Sequence, residues 1–375
     1  MSKYIARTIA GDLSQKLADK KALIVFGARQ VGKSTMLKQM LKGDDSVLWL
    51  YGDQAQTGAF FSDLSISNIK AMIGSKKTVV IDEAQMIADI GIKLKMFTDY
   101  LDDIKVIATG SSSFDLANKI NEPLTGRKWE YHLLPLSFKE MANASSVFDE
   151  MGHLETRLIY GYYPEIVTHP GEEKERIMEL VTSYLYKDVL ILERLQKVEK
   201  ITRLLQALAL QVGSQVSYSE IGAIVGIDSK TVEKYIELLE KIFIVYRITS
   251  YSKNAHNELK ASKKVYFYDN GIRNALISAF NPLELRDDIG ILWENFIMAE
   301  LLKKDKNSRN FAKRWFWRTR QSQEIDLVHE VDGIWSAYEF KWNDKKNVSC
   351  PSAFKEAYPE VNFHVVNRKN FIEFV

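Results

Sequence analysis

Several residue types are too scarce here to support common architectures. The 375 residues include one cysteine, Cys350, which excludes an intramolecular disulfide framework and a cysteine-based zinc site. The 7 prolines and 19 glycines are scattered along the chain, so there is no collagen-like or linker-like stretch. Uncharged apolar runs fall short of the roughly 18 residues that a membrane-spanning helix needs. The opening MSKYIARTIAGDLSQ lacks the apolar centre of a signal peptide. Six histidines show no close metal-ligand pairing. Neither sign of charge dominates: 51 Lys and Arg against 49 Asp and Glu leave +2, too little for a global field that attracts nucleic acid. The expectation is a soluble, cytoplasmic protein with no membrane partner.

What is present is a globular composition, 46% hydrophobic and 27% charged, on a chain long enough for two or three domains. The first third alternates short apolar runs with amphipathic stretches, the mark of a parallel α/β sheet. Strands are expected at Ala22–Phe26, Ser46–Tyr51, Thr78–Ile81 and Lys105–Ala108, with helices near Lys33–Leu41 and Ile92–Leu101. The PLSF run after Arg127 reads as a further strand. Between Ser145 and Gln215 the pattern turns helical, notably in MELVTSYLYKDVLILERL. Ser217–Arg247 reads as helix, turn VGID and helix, with Ser229 as N-cap and Val232, Ile236 and Leu239 facing inward. Strands at Ile242–Ile248 and Lys264–Tyr268 would form a wing.

The strongest motif is Gly27-Ala28-Arg29-Gln30-Val31-Gly32-Lys33-Ser34, which fits G-x-x-x-x-G-K-[ST] between a strand and a helix. Such a loop cradles phosphate oxygens with backbone N–H groups at a positive helix end. Lys33 would reach the β- and γ-phosphates, Ser34 would ligate Mg²⁺, and Thr35 would stand near the α-phosphate. The apolar strand Val79-Val80-Ile81 then ends in Asp82 and Glu83, suited to the Mg²⁺ shell and to activation of the attacking water. A further strand ends at Thr109-Gly110-Ser111, where additional-strand ATPases keep a polar residue that senses the γ-phosphate. ATP binding with hydrolysis is the expected chemistry.

The phrases GARQVGKST, VVIDEAQ, ATGSSS and LTGRKWEYHLLPLSFKE together resemble a widespread prokaryotic family of AAA-type ATPases. Its members carry a C-terminal domain of unknown function that itself resembles a restriction endonuclease. The likeness continues through GYYPEIV, KKVYFYDNGIRNAL and ILWENFIMAEL. It implies an α/β fold: a P-loop AAA-type core over 1–144, a helical lid or linker over 145–200, a winged-helix module over 201–268 and a restriction-endonuclease-like domain over 269–375. It also implies a role for Arg127, whose planar fork could neutralise a departing phosphate. Whether it serves its own site or a neighbour's stays open in the sequence; the second case would require a homo-oligomer.

The tail has its own pattern. Glu324, Asp326 and Val328 alternate on one strand face, and Glu339 and Lys341 share a face on the next strand. An acid followed by acid-x-lysine is the arrangement of restriction-endonuclease-like nucleases. Asp326 and Glu339 would hold a second Mg²⁺ or Mn²⁺, Lys341 would position or deprotonate water, and Glu294 would join from the preceding helix. Ser308–Arg320, with five positive residues, four aromatics and no acid, suits a phosphate backbone of DNA or RNA. A basic edge strand that discourages sheet pairing is the plainer alternative. The helix after VGID mixes both signs through Lys230, Glu233, Lys234, Glu237 and Lys241, a poor phosphate surface. The leading expectation is therefore ATP hydrolysis coupled to nucleic-acid binding or processing. The competing one is a nucleotide-dependent protein switch whose nuclease-like part is an inactive scaffold.

Overall fold

The computed structural model describes residues 4–62, 65–111, 120–182, 198–251, 262–345 and 348–375. They fall into two compact units: one is the chain up to Leu136 with Lys241–Phe243, the other Ser137–Glu240 with Ile244–Val375.

The first unit is built on a parallel sheet of β1 (Ala22–Phe26), β2 (Val47–Tyr51), β3 (Thr78–Asp82), β4 (Lys105–Gly110) and β5 (Lys128–His132). Their order is β2-β3-β4-β1-β5. The runs ALIVF of β1 and TVVID of β3 are buried throughout, as expected of inner strands covered on both faces. β4 is inserted between β1 and β3. Because every pairing is parallel, the strand ends at Phe26, Asp82 and Gly110 lie on one edge of the sheet. The helix Lys33–Met40 leaves from that edge and buries Met36 and Leu37.

The second unit carries a sheet of order β12-β11-β10-β9-β7-β8-β6. Its strands are β6 (Gln215–Val216), β7 (Val245–Ser250), β8 (Lys263–Phe267), β9 (Lys313–Arg318), β10 (Glu324–Val331), β11 (Ile334–Phe340) and β12 (Asn362–Val366). β7 pairs antiparallel with β8 and also parallel with β9, through Thr249↔Trp315 and Ser250↔Phe316. The expected wing hairpin and the C-terminal strands thus share one sheet. Trp315, Trp317, Ile325, Val328, Ala337 and Phe354 pack together as a core on this sheet. The helix Ile289–Asn307 buries Trp293, Phe296 and Ile297.

Local differences from the sequence reading have simple causes. The turn VGID does separate two helices, Tyr218–Val225 and Ser229–Lys241. Its cap, however, is the carboxylate of Asp228, which accepts N–H bonds from Lys230 and Thr231 at 3.0 Å each. Two good cap residues are adjacent, and the acid wins. The PLSF run does not form a strand. Ser137 instead opens a helix through a capping box, accepting from Glu140 N at 3.1 Å while Glu140 Oε2 accepts from Ser137 N at 3.0 Å. Most of MELVTSYLYKDVLILERL, residues 183–195, lies outside the described residues. No helix among the described residues is long and apolar enough to cross a membrane.

Candidate functional site

The loop after β1 has its shape imposed by its neighbours. A side chain at Gly27 would collide with the carbonyl oxygen of Leu133, just beyond β5. Gly32 has φ 94°, free for glycine and costly for other residues. Gln30 also adopts positive φ, 59°, which places local strain in the loop. The Lys33 ammonium donates to Gly27 O at 2.8 Å and Ala28 O at 2.9 Å, so it is folded over the loop's own carbonyls. Thr35 is exposed on the first turn of the following helix. Arg7, which the sequence reading passed over, is buried and donates to Val31 O at 2.8 Å and Leu134 O at 2.5 Å. It ties the loop to the chain beyond β5; nothing in its local sequence marks it.

At the end of β3 the acids are held by their neighbours. Ser34 Oγ donates to Asp82, at 2.7 Å from Oδ2 and 2.9 Å from Oδ1. Thr109 Oγ1, at the end of β4, donates to Asp82 Oδ1 at 2.5 Å and accepts from Glu83 N at 3.1 Å. Glu83 sits at φ 51°, ψ 47°, a left-handed conformation that a non-glycine residue rarely keeps without surrounding constraint. Gly52 leaves room for this conformation, since a side chain there would strike the Glu83 carbonyl. Gln85 Nε2 donates to Glu83 Oε2 at 2.5 Å and to Ser111 Oγ at 3.1 Å. The sequence reading quoted DEAQ but gave Gln85 no part. Lys33, Ser34, Asp82, Glu83, Thr109 and Ser111 therefore come together at one sheet edge. The hydroxyl-plus-carboxylate pair of Ser34 and Asp82 has the oxygen chemistry that Mg²⁺ prefers, and the glycine-lined turn at a helix N-terminus suits phosphate.

Arg127 is placed elsewhere. It precedes β5, its carbonyl accepts from Ala22 N at 2.9 Å, and its Nε donates to Asp99 Oδ1 at 2.6 Å. Ala22 begins the strand whose far end carries the phosphate loop. Five residues of strand, about 16 Å at ~3.3 Å each, separate the two edges. Of the two possibilities left open for Arg127, its own site or a neighbour's, the parallel sheet sets its backbone at the edge opposite the phosphate loop of its own chain.

In the second unit, Glu294, Asp326, Glu339 and Lys341 do gather, but around an unanticipated cation. Lys264, from β8, is 2.5 Å from Glu324 Oε1 and 3.7 Å from Glu294 Oε1. Tyr266 OH donates to Glu294 Oε1 at 2.7 Å, Phe340 N to Asp326 Oδ2 at 2.8 Å, and Lys341 Nζ to Glu339 Oε1 at 2.5 Å. Burial, followed by the charges of Glu294 and Glu339, pushes the Asp326 carboxyl well above the usual carboxylate range. Burial also raises Glu294, against the pull of Lys264. Burial alone would lower Lys264, yet Glu294 and Glu324 hold it above its ordinary value. Among the described residues no group of three His, Cys, Asp or Glu side chains is arranged to hold a metal ion. The expected metal set of Glu294, Asp326 and Glu339 does not fit: the Lys264 ammonium lies 3.7 Å from Glu294, Phe340 N–H is on Asp326 and Lys341 is on Glu339. Lys264 escaped the sequence reading because it lies upstream, on the strand taken for a wing.

Three of the five positive residues of the basic stripe have acids beside them. Arg314 pairs with Asp305, whose Oδ2 also lies 2.8 Å from His329 Nε2. Lys313 lies 2.9 Å from Glu330 and Arg318 3.5 Å from Glu324. On the helix Ser229–Lys241, Glu233 pairs with Lys263 at 2.8 Å and Glu240 with Arg247 at 2.5 Å.

Comparison with known proteins follows the same division. Residues 19–142 match a family model described as an AAA domain. Residues 151–283 and 289–373 each match a model described as a domain of unknown function. An uncharacterized protein of Mycobacterium tuberculosis is 24% identical over 353 residues, covering 92% of this chain and 75% of that protein. One from Methanocaldococcus jannaschii is 22% identical over 391 residues, covering 97% and 85%. The Walker-type ATPase of Pyrococcus abyssi has a similar fold, with TM-score 0.50 and 16% identity, over 72% of this chain and 94% of that one. The match over residues 19–142 supports an AAA-type ATPase domain in the first unit; the likeness to the Pyrococcus abyssi protein is one of fold.

Proposed function

We propose that the first unit binds ATP with Mg²⁺ at residues 27–35 and hydrolyses it with Asp82 and Glu83. The observation that carries this reading is the network in which Thr109 bonds both Asp82 and Glu83 while Ser34 bonds Asp82. Lys33 and the loop N–H groups would hold the phosphates, and Ser34 with Asp82 would hold Mg²⁺. The ion supplies charge neutralisation at the phosphates. Glu83 takes the proton of the attacking water. Thr109 fixes the two acids relative to each other, and Gln85 with Ser111 sets where the Glu83 carboxylate points. Arg127 enters only through a second copy of the chain. Nucleotide binding measured with and without Mg²⁺ tests this reading. Lys33→Ala should lose affinity in both conditions, whereas Ser34→Ala should lose the Mg²⁺-dependent part. Equal affinity of the three proteins would reject it.

For the second unit the paired state of its charges favours a nucleotide-controlled interaction module over a nuclease. Of the five positive residues in the basic stripe expected to hold DNA or RNA, Lys313, Arg314 and Arg318 have acids beside them, which weakens their pull on a phosphate backbone. Binding of DNA or RNA measured at low and moderate salt tests this preference. A steep salt dependence abolished by Arg318→Ala and Arg320→Ala would restore the nucleic-acid reading.

A further inference from the structure

We propose that the Lys264 ammonium permanently occupies the position a divalent cation would take among Glu294, Glu324 and Asp326, closing the C-terminal acidic cluster to metal. The lysine is 2% exposed, and an ammonium is tolerated at that depth only with charge partners around it. To reach them its side chain runs over the Phe316 ring of β9, with Nζ 5.2 Å from the ring centroid, and ends beside Glu324 on β10. A cation over an aromatic face, ending on a carboxylate, is a built position rather than a solvated one.

The carboxylates are shaped to that position. Glu294 is fixed on one side by the Tyr266 hydroxyl. The same oxygen packs close to Gly213, where an added side-chain carbon would lie 2.9 Å from Oε1. Gly213 has φ +72° as well, so another residue there would be both crowded and strained. Asp326 is occupied on one oxygen by Phe340 N–H, and Glu339 by the adjacent Lys341. A divalent ion would have to displace Lys264 from Glu324 and Glu294, or else sit against a like charge. Glu324 and Glu294 therefore face Lys264, Glu339 faces Lys341, and Glu324 also lies 3.5 Å from Arg318. The cluster becomes an ionic tie between β8, the helix Ile289–Asn307, β10 and β11. A sequence pattern that reads as a metal-dependent nuclease is put to structural use.

The test is a Mn²⁺ titration, followed by calorimetry, of the full-length protein without nucleotide. It compares the wild type, Asp326→Asn, Lys264→Met and the double variant, all in an Asp82→Ala background that removes the nucleotide site's ligand. The wild type and Asp326→Asn should titrate alike. Lys264→Met should gain a site at least about tenfold tighter than any in the wild type, lost again in the double variant. Circular dichroism checks that each variant is folded. A wild-type site that disappears with Asp326→Asn would overturn the proposal, as would a folded Lys264→Met that gains none. Should Lys264→Met fail to fold, the wild-type and Asp326→Asn comparison still decides.

Discussion

The Thr109 hydroxyl sits 2.5 Å from Asp82 Oδ1 while receiving the backbone N–H of Glu83 at 3.1 Å, so one side chain on β4 holds both acids at the end of β3. Thr109 is fully buried and is the one hydroxyl residue of β4. Its replacement by valine keeps the shape and removes both bonds. Hydrogen bonds to charged groups contribute about 1.5–3 kcal/mol. Thr109→Val should therefore slow ATP turnover by about 10- to 100-fold while changing nucleotide affinity far less, measured as separate kcat and Kd values. Equal losses in both would mean that the hydroxyl acts in binding.

Gln85 is a positioning residue with a distinguishable signature. Its amide joins Glu83 Oε2 to Ser111 Oγ, and it makes neither contact through the phosphate loop. Gln85→Ala should lower kcat by about an order of magnitude, the scale of a misplaced general base, with KM nearly unchanged. A KM effect with unaltered kcat would contradict this role.

Arg7 should matter for stability and for the loop together. Removing its guanidinium leaves Val31 O and Leu134 O without that donor in a buried setting. Arg7→Met is expected to destabilise the first unit by about 2 kcal/mol or more and to weaken nucleotide binding. Urea unfolding and nucleotide titration check the two effects. An unchanged unfolding midpoint would show that the contacts carry no weight.

The legibility of this molecule in its sequence varied with how local each relation was. β1 was readable because ALIVF is an unbroken apolar run next to a loop whose glycines serve both the phosphate and Leu133. Asp82 and Glu83 were readable because a strand bringing acids to its end is visible as a string. Arg127 was not readable as a position: its residue type fitted phosphate chemistry, but only the parallel pairing of β1 with β5 reveals which edge it occupies. Lys264 was hidden for a different reason. Its partner Glu324 lies on β10, with β7 and β9 between the two strands in the sheet. Pairing of β7 with β9 brings those segments together, and that pairing has no local sequence mark. Gln85 stood in the quoted motif, yet its two bonds depend on how Glu83 turns at positive φ.

The acidic cluster gives a pH prediction of defined sign. The Asp326 pKa is raised on folding, so the charged form is disfavoured in the folded protein. Below the unfolded value of 3.8 the group is neutral in both states and costs nothing. As pH rises above it, the unfolded chain ionises first, and stability falls until the folded group titrates. Asp326→Asn removes this loss and can retain the bond from Phe340 N–H. The variant should therefore gain thermal stability over the wild type as pH rises from 4 to 7, with the difference shrinking toward zero near pH 3.5. A variant less stable at pH 7 than at pH 4, relative to the wild type, would reverse the sign.

The most direct measurement is single-turnover ATP hydrolysis by Glu83→Gln beside nucleotide binding by the same protein. The variant keeps the size of the side chain and removes the base. Nucleotide affinity should stay within about threefold of the wild type while hydrolysis falls by at least about 100-fold, within the range that general-base catalysis contributes. Hydrolysis by Glu83→Gln at the wild-type rate would contradict the account, because the strained acid that Thr109 and Gln85 hold in place would then have no part in the reaction.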